Sequence, residues 1–261
     1  MNTLKNQVKT YSLNKKMATS LHWYGQGGQD RFVFDFLNKK HNGFFVDLAA
    51  HDPKKLSNTY TLEHDFGWKG VCIETLQDKV KALKNERSCE VVDDVVGAPK
   101  KWVVFREFTT SNKTETGYRW LAGLSQIVRG PPRPNLTPDH VCITRLRCYT
   151  TEELRRKGVK VTERGKHTVS LTNILKRAKA PKIMDYLSLD VEGSEFEVMR
   201  HFDFHSYRFR IMTIERPTAS LQRLLTSKNY TMVPLKSSQL KATEWGETVW
   251  KHSEMQNIFS I

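Results

Sequence analysis

Acidic side chains recur where the predicted strands of an alternating strand–helix pattern come to an end. Asp47 closes the apolar run Phe44–Leu48, and Glu74 follows the run 70–73. Asp93 and Asp94 interrupt a third run over 90–96. Asp190 and Glu192 close 183–191, and Glu215 closes 209–215. In an open α/β sheet the ligand crevice lies at the carboxyl ends of the strands, beside the point where strand order reverses. Any one of these acids is equally a helix N-cap or a solvated turn residue. Their repetition from strand to strand is what points to a site.

The segment 43–74 gives that site a chemistry. It reads strand, small-residue turn (Ala49-Ala50), helix from about Ser57-Asn58-Thr59, and strand, with Glu74 at the tip. A carboxylate there can accept both hydroxyls of a ribose. Glu74 stands 27 residues after Asp47, beyond the usual spacing of ~20 in dinucleotide folds. No G-x-G-x-x-G follows the first strand, so no glycine loop is ready to wrap a pyrophosphate. A cofactor with a ribose and no phosphate, S-adenosylmethionine, fits better than NAD. Ser57, Asn58 and Thr59, with the free N–H groups of a helix start, can bind a methionine carboxylate, or Ser57 simply caps the helix. Asp93 or Asp94 can accept from an adenine amine. His51 directly follows the turn and is as readily a capping group as a functional one.

Leu189-Asp190-Val191-Glu192-Gly193 is a second cluster. Gly193 permits a tight turn beneath a ligand. Asp190 can orient a cofactor amine or an acceptor hydroxyl, and Glu192 can act as a general base if burial or like charge raises its pKa. With Glu215 these make the expected catalytic set.

These elements need a frame. Strands at Phe44–Leu48, 71–74, 90–96, 183–191 and 209–215 alternate with helices at 57–67, 79–85, 171–178, 195–202 and 220–228, after a helix at 29–40. The pattern predicts a Rossmann-like α/β fold with a mainly parallel sheet. Two final strands, 230–235 and Glu247–His252, predict an antiparallel pair at the carboxyl-terminal edge. Residues 1–25 read as a basic arm and 26–261 as one domain, interrupted by an irregular insertion or lid over about 109–168. That stretch carries the proline-rich 130–138, a strand over 141–149 and a basic helical turn at 152–157.

The 261 residues carry a net charge of +14 with pI near 9.6. The balance favours an anionic partner, whether nucleic acid, an acidic glycan or a membrane surface, or else a merely soluble basic exterior. Basic residues are dense near Lys5–Lys16 and over 145–166. Four cysteines, Cys72, Cys89, Cys142 and Cys148, show no metal-ligand spacing, so no metal set is expected. Cys72 and Cys89 read as small buried apolar residues, and neither pair demands a disulfide. No run of ~18 apolar residues exists for a membrane span, and the polar amino-terminal stretch predicts a cytoplasmic location.

Together the stretches GQDRFVFDFL, VDLAAHDPKKLSNT, YLSLDVEG and IMTIE, in this order and spacing, resemble the FkbM family of S-adenosylmethionine-dependent methyltransferases. The likeness covers roughly residues 26–235. It implies a class I methyltransferase fold, S-adenosylmethionine as donor and O-methylation of a hydroxyl. Asp47, Ser57, Asn58, Thr59 and Glu74 match cofactor positions of the family, and Asp190 and Glu192 its second acidic motif. The family has glycine where this chain has Ala49, whose methyl would crowd the cofactor. The acceptor implied is a sugar or small molecule, probed against two alternatives: an RNA ribose 2′-hydroxyl, and a fold that has lost catalysis and only binds an anion.

Overall fold

The computed structural model describes residues 21–110, 125–127, 140–142 and 148–255. The central sheet has seven strands. In chain order these are β1 (Phe44–Leu48), β2 (Lys69–Ile73), β3 (Glu90–Val92), β9 (Ile183–Leu189), β10 (Arg208–Glu215), β11 (Tyr230–Val233) and β12 (Glu247–His252). They lie in the order β11-β12-β10-β9-β1-β2-β3. All pairs from β3 to β10 are parallel, and β12 inserts antiparallel between β10 and β11. The expected antiparallel edge is present, with the last strand one place inside it.

Each strand feeds both faces of the sheet, because side chains alternate. Val46, Leu48, Val71, Ile73 and Leu187 join one core, with Leu171, Ile174, Val198, Leu221 and Leu225. Phe45, Cys72, Tyr186 and Ile211 join the other, with Val33, Phe36, Leu62 and Trp68. Helices cover both cores: α1 (Gln29–Phe36), α2 (Tyr60–Phe66), α3 (Gln77–Glu86), α5 (Leu171–Arg177), α6 (Glu195–Met199) and α7 (Ala219–Ser227), with α4 (Thr151–Arg156) in the insertion. Helix α1 stops short of the expected residue 40, since Asn38 and Lys39 take left-handed φ angles of 53° and 55°.

The insertion holds more order than its sequence suggests. β4 (Trp102–Thr110) pairs antiparallel with β5 (Ser125–Ile127) and with β8 (Val159–His167) in a separate three-stranded sheet. β8 was hidden in VKVTERGKH because polar residues occupy both faces. The single strand expected over 141–149 is instead a hairpin of β6 (His140–Cys142) and β7 (Cys148–Thr150). Helix α4 begins where expected, under a capping box: Thr150 Oγ1 accepts from Glu153 N at 3.1 Å, and Thr150 N donates to Glu153 Oε2 at 2.7 Å. Val103 and Phe105 of β4 pack on Leu76 and Val95. The small sheet is thereby anchored beside the ends of β2 and β3.

One expectation is corrected. Cys72 and Cys89 are buried, as read from sequence, but they are bonded to each other. The β2–α3–β3 crossover returns Cys89 beside β2, where the register pairs Cys72 with Val91. Sequence spacing alone carries no sign of that return. The bridge closes a loop of 17 residues, worth about 3 kcal/mol in the chain-entropy account. Reduction, or Cys72→Ala with Cys89→Ala, is expected to lower unfolding free energy by about 2–4 kcal/mol in urea titrations. An unchanged midpoint under reductant would mean the bridge adds no stability.

Candidate active site

The carboxyl ends of β1, β2, β9 and β10 open into a cleft of about 670 Å³, a usual size for a small-molecule site. Asp47, Ala49, Ser57, Asn58, Glu74, Asp94, Asp190, Glu192 and Glu215 all line it. Of the residues singled out from sequence, Thr59 lies behind the wall and Asp93 outside it.

Asp47 is 3% exposed and accepts from Thr59 Oγ1 at 2.6 Å. Burial raises its pKa, opposed by the Thr59 hydrogen bond and the charge of Arg87. Arg87 escaped sequence reading, since a lone basic residue after a helix has no signature. Its side chain is fully buried. It donates to Glu63 at 2.7 and 3.0 Å, to Pro53 O at 3.1 Å, to Ser57 Oγ at 3.2 Å and to Thr59 Oγ1 at 2.9 Å. The N-cap of α2 is Thr59 rather than the expected Ser57, whose Oγ still accepts from Tyr60 N, the first helical N–H, at 3.1 Å from two residues before the cap.

Glu74 is 5% exposed. Its Oε1 accepts from Thr75 N and Leu76 N, and Oε2 from His51 N at 2.8 Å. A carboxylate has about four acceptor sites, so Glu74 braces the turn after β1 and keeps about one site on Oε2. Burial raises its pKa against those three bonds. Asn58 donates to Ser188 Oγ at 3.1 Å, while its Oδ1 is buried without a partner. Such an orphan acceptor costs about 1–3 kcal/mol unless a ligand donor meets it. Asp94 pairs with Arg177, and Asp93, exposed, faces Lys166 at 3.7 Å. Both follow β3 rather than interrupting it.

Across the cleft, Asp190, Glu192 and Glu215 bring carboxylate oxygens within 4.8 Å of one another. The pKa of Asp190 is raised well above the ordinary value by burial, then by Glu215 and Glu192. Glu192 is raised by burial and by Glu215, although 41% of its side chain is exposed. Glu195 and Glu247, both buried, stand close by. Burial lifts Glu195, and Glu247 reaches about 7 through burial and the charge of Glu215. Arg216 is the neighbouring cation, paired with Glu215 and 3.8 Å from Glu192.

Backbone strain collects at the same edge. Ala49, His51, Glu192 and Arg216 have φ of 68°, 49°, 52° and 44°, with Gly193 at 97°. Ala49 therefore holds a left-handed turn that suits glycine.

Renumbered within the central sheet alone, the strands run 3-2-1-4-5-7-6 with the seventh reversed. That topology, with an acid-lined cleft at the carboxyl ends, defines a class I, Rossmann-like methyltransferase. The methyltransferase FkbM domain matches residues 47–227, and the chain belongs to that family. It is thus an S-adenosylmethionine-dependent methyltransferase, and the residues present suit that cofactor: an orphan acceptor at Asn58 and acids to meet its cationic end. The solved METTL16 methyltransferase domain is similar at a TM-score of 0.40 and 12% identity, covering 87% of this chain and 66% of that one. No curated protein matches the chain.

Two outcomes follow. Ala49→Gly relieves left-handed strain of about 1–2 kcal/mol and loses about 0.5–1 kcal/mol to unfolded-chain entropy. A net gain in melting temperature is expected, with tighter cofactor binding by calorimetry. A lower melting temperature would mean the turn is unstrained.

Glu247 contacts Thr213 and Gln29 and faces Glu215 and Arg216. Its raised pKa favours the protonated fold. The stability it contributes is complete below about pH 4.5 and lost as pH rises through about 7. That is at most about 3 kcal/mol, and Asp190, Glu192 and Glu195 act in the same direction. Glu247→Gln is expected to flatten the pH dependence of the urea midpoint between these values. A slope equal to the parent's would remove Glu247 as its source.

Proposed function

We propose that this cleft methylates a hydroxyl of a sugar or small-molecule acceptor that itself carries negative charge. The observation that carries the reading is the raised pair Asp190 and Glu192 beside Glu215, in the cleft that Asp47 and Glu74 also line. A hydroxyl must lose a proton to become a nucleophile, and a carboxylate of raised pKa is a better base near neutral pH. When bound, S-adenosylmethionine supplies an electrophilic methyl group on a cationic sulfur. Glu74 would receive a ribose hydroxyl at its remaining acceptor site, and Asn58 Oδ1 would take a donor from the cofactor. Asp47, Ser57 and Thr59 would hold the turn that carries Ala49, and Asp94 or Asp93 would accept from the adenine amine. Asp190 orients the acceptor hydroxyl, Glu192 takes its proton, and Glu215, through its like charge, raises the pKa of both.

The small sheet of the insertion, docked through Phe105 at the cleft wall, forms a basic side to the acceptor entrance in this reading. Lys160 is exposed on its strand β8, and Arg155, Arg156 and Lys157 are exposed at the end of the preceding helix α4. Arg129, Arg133, Arg145 and Arg147 lie outside the described residues, as do residues 1–20 of the basic arm. Methylation of an RNA ribose draws on the +14 charge. The lysine it would recruit is placed otherwise: Lys40 pairs with Asp185 at 2.6 Å, level with the amino end of β1. Arg200 pairs with Glu197. Among the described residues, Lys55 and Arg216 line the cleft as lysine and arginine cations. Among the described residues no helix is long and apolar enough to cross a membrane. The cytoplasmic expectation rests on the polar amino-terminal stretch, whereas the Cys72–Cys89 bridge favours an oxidising compartment.

Transfer of labelled methyl to a panel of anionic sugars, lipids and capped RNA tests the reading, with an anionic sugar or small molecule expected as acceptor. Glu192→Gln should cut turnover by about 10²–10⁴ while cofactor affinity holds. Arg145→Glu with Arg147→Glu should raise the acceptor KM alone. Full turnover in Glu192→Gln would remove it as the base, and labelling of capped RNA alone would favour the ribose reading.

A further inference from the structure

The acid cluster holds more negative charge than its surroundings balance. Asp190, Glu192, Glu215, Glu195 and Glu247 crowd the ends of β9 and β10 and the start of β12, and Arg216 is the cation paired with the cluster. Glu195 turns inward, accepting from Val191 N at 3.2 Å and Gly193 N at 2.9 Å. Glu247 is held by Thr213 and Gln29. Asp190, Glu192 and Glu215 are left converging, one oxygen of each within 4.8 Å of the others. Asp190 supplies an independent sign of a missing ligand: its Oδ1 has no exposed surface and no hydrogen-bond partner. A buried carboxylate oxygen is rarely left so. A single proton shared with Glu215 would satisfy one contact, but not three converging acids.

We propose that Asp190, Glu192 and Glu215 bind a hard divalent cation such as Mg²⁺, Mn²⁺ or Ca²⁺. All three offer oxygen, the ligand type these ions take, and none offers the nitrogen or sulfur that selects zinc. Two of the three lie on the left-handed turn after β9 and one at the end of β10, so neighbouring parallel strands fix their separation. Arg216, 61% exposed, is free to swing its head toward water when the ion enters. Water or the acceptor fills the remaining positions. The inference rests on the reading of this cleft as a hydroxyl methyltransferase and changes one role within it. Glu192 becomes a ligand, and the ion acidifies the acceptor hydroxyl, whose proton passes to water in the cleft.

The test separates the two readings, because cation binding is measured without cofactor or acceptor. Chelator-treated protein is titrated with Mn²⁺, Mg²⁺ and Ca²⁺ by calorimetry, with Mn²⁺ also followed by water-proton relaxation. One ion per chain at millimolar affinity or tighter is expected. Asp190→Asn and Glu215→Gln should each weaken it at least tenfold, and both variants relieve like-charge repulsion and so should melt no lower than the parent. No binding at millimolar ion, or equal binding in Glu215→Gln, overturns the site. Methyl transfer that is unchanged by chelator, with no ion bound, sinks the site and leaves the hydroxyl methyltransferase standing. An ion that binds as described while no hydroxyl is methylated does the reverse.

Discussion

The guanidinium of Arg87 is the fixed point from which the cofactor side of the cleft is built. It is fully buried and pairs with Glu63, itself 7% exposed at the side chain. Its remaining donors reach Pro53, Ser57 and Thr59, and Thr59 passes the constraint to Asp47. A network of six residues thus ties the end of α3, α2 and its start, the turn after β1 and β1 itself. A pair this buried adds little net stability over an apolar replacement, but losing one partner strands a charge at about 3–5 kcal/mol. Its consequence is therefore shape. The turn 49–59 cannot relax without breaking the Arg87 bonds to Pro53 and Ser57, and at its start Ala49 N and Ala50 N both donate to Ile73 O of β2. The Cys72–Cys89 bridge, two residues from Arg87, fixes the base of this arrangement to β2.

The opposite wall works through charge. Desolvation and mutual repulsion push the acids after β9 and at the start of β12 toward their protonated forms. Such a site is costly when empty and favours anything cationic that enters it. The sulfonium of the cofactor is one such group, and a divalent ion is another. The two walls divide the work: the Arg87 side offers neutral and hydrogen-bonding shape, while the Asp190 side offers field.

The acids that line the cleft were legible in the sequence because strand ends in an α/β pattern are marked by small residues and polar stops. Asp47, Glu74, Asp190, Glu192 and Glu215 were all read as facing one crevice, and all line it. Arg87 was not legible, because its partners come from 24 to 34 residues away and follow no periodicity. Glu247 was missed because it opens a strand instead of ending one; only the reversed direction of β12 brings it across from Glu215. β8 was missed because alternation cannot be seen where both faces are polar.

The sequence by itself determined the fold class, the succession of strands and helices along the chain through local periodicity, and the residues placed at the strand ends. These follow from nearest-neighbour chemistry along the chain. The tertiary structure decided the Cys72–Cys89 bond, the anchoring by Arg87 and the bracing role of Glu74, whose acceptor sites are mostly filled by backbone N–H groups. It also decided how many carboxylates share one small volume. The physical reason is the same in each case: pairing and desolvation depend on distances between segments, and those distances exist only once the parallel sheet has brought remote strand ends together.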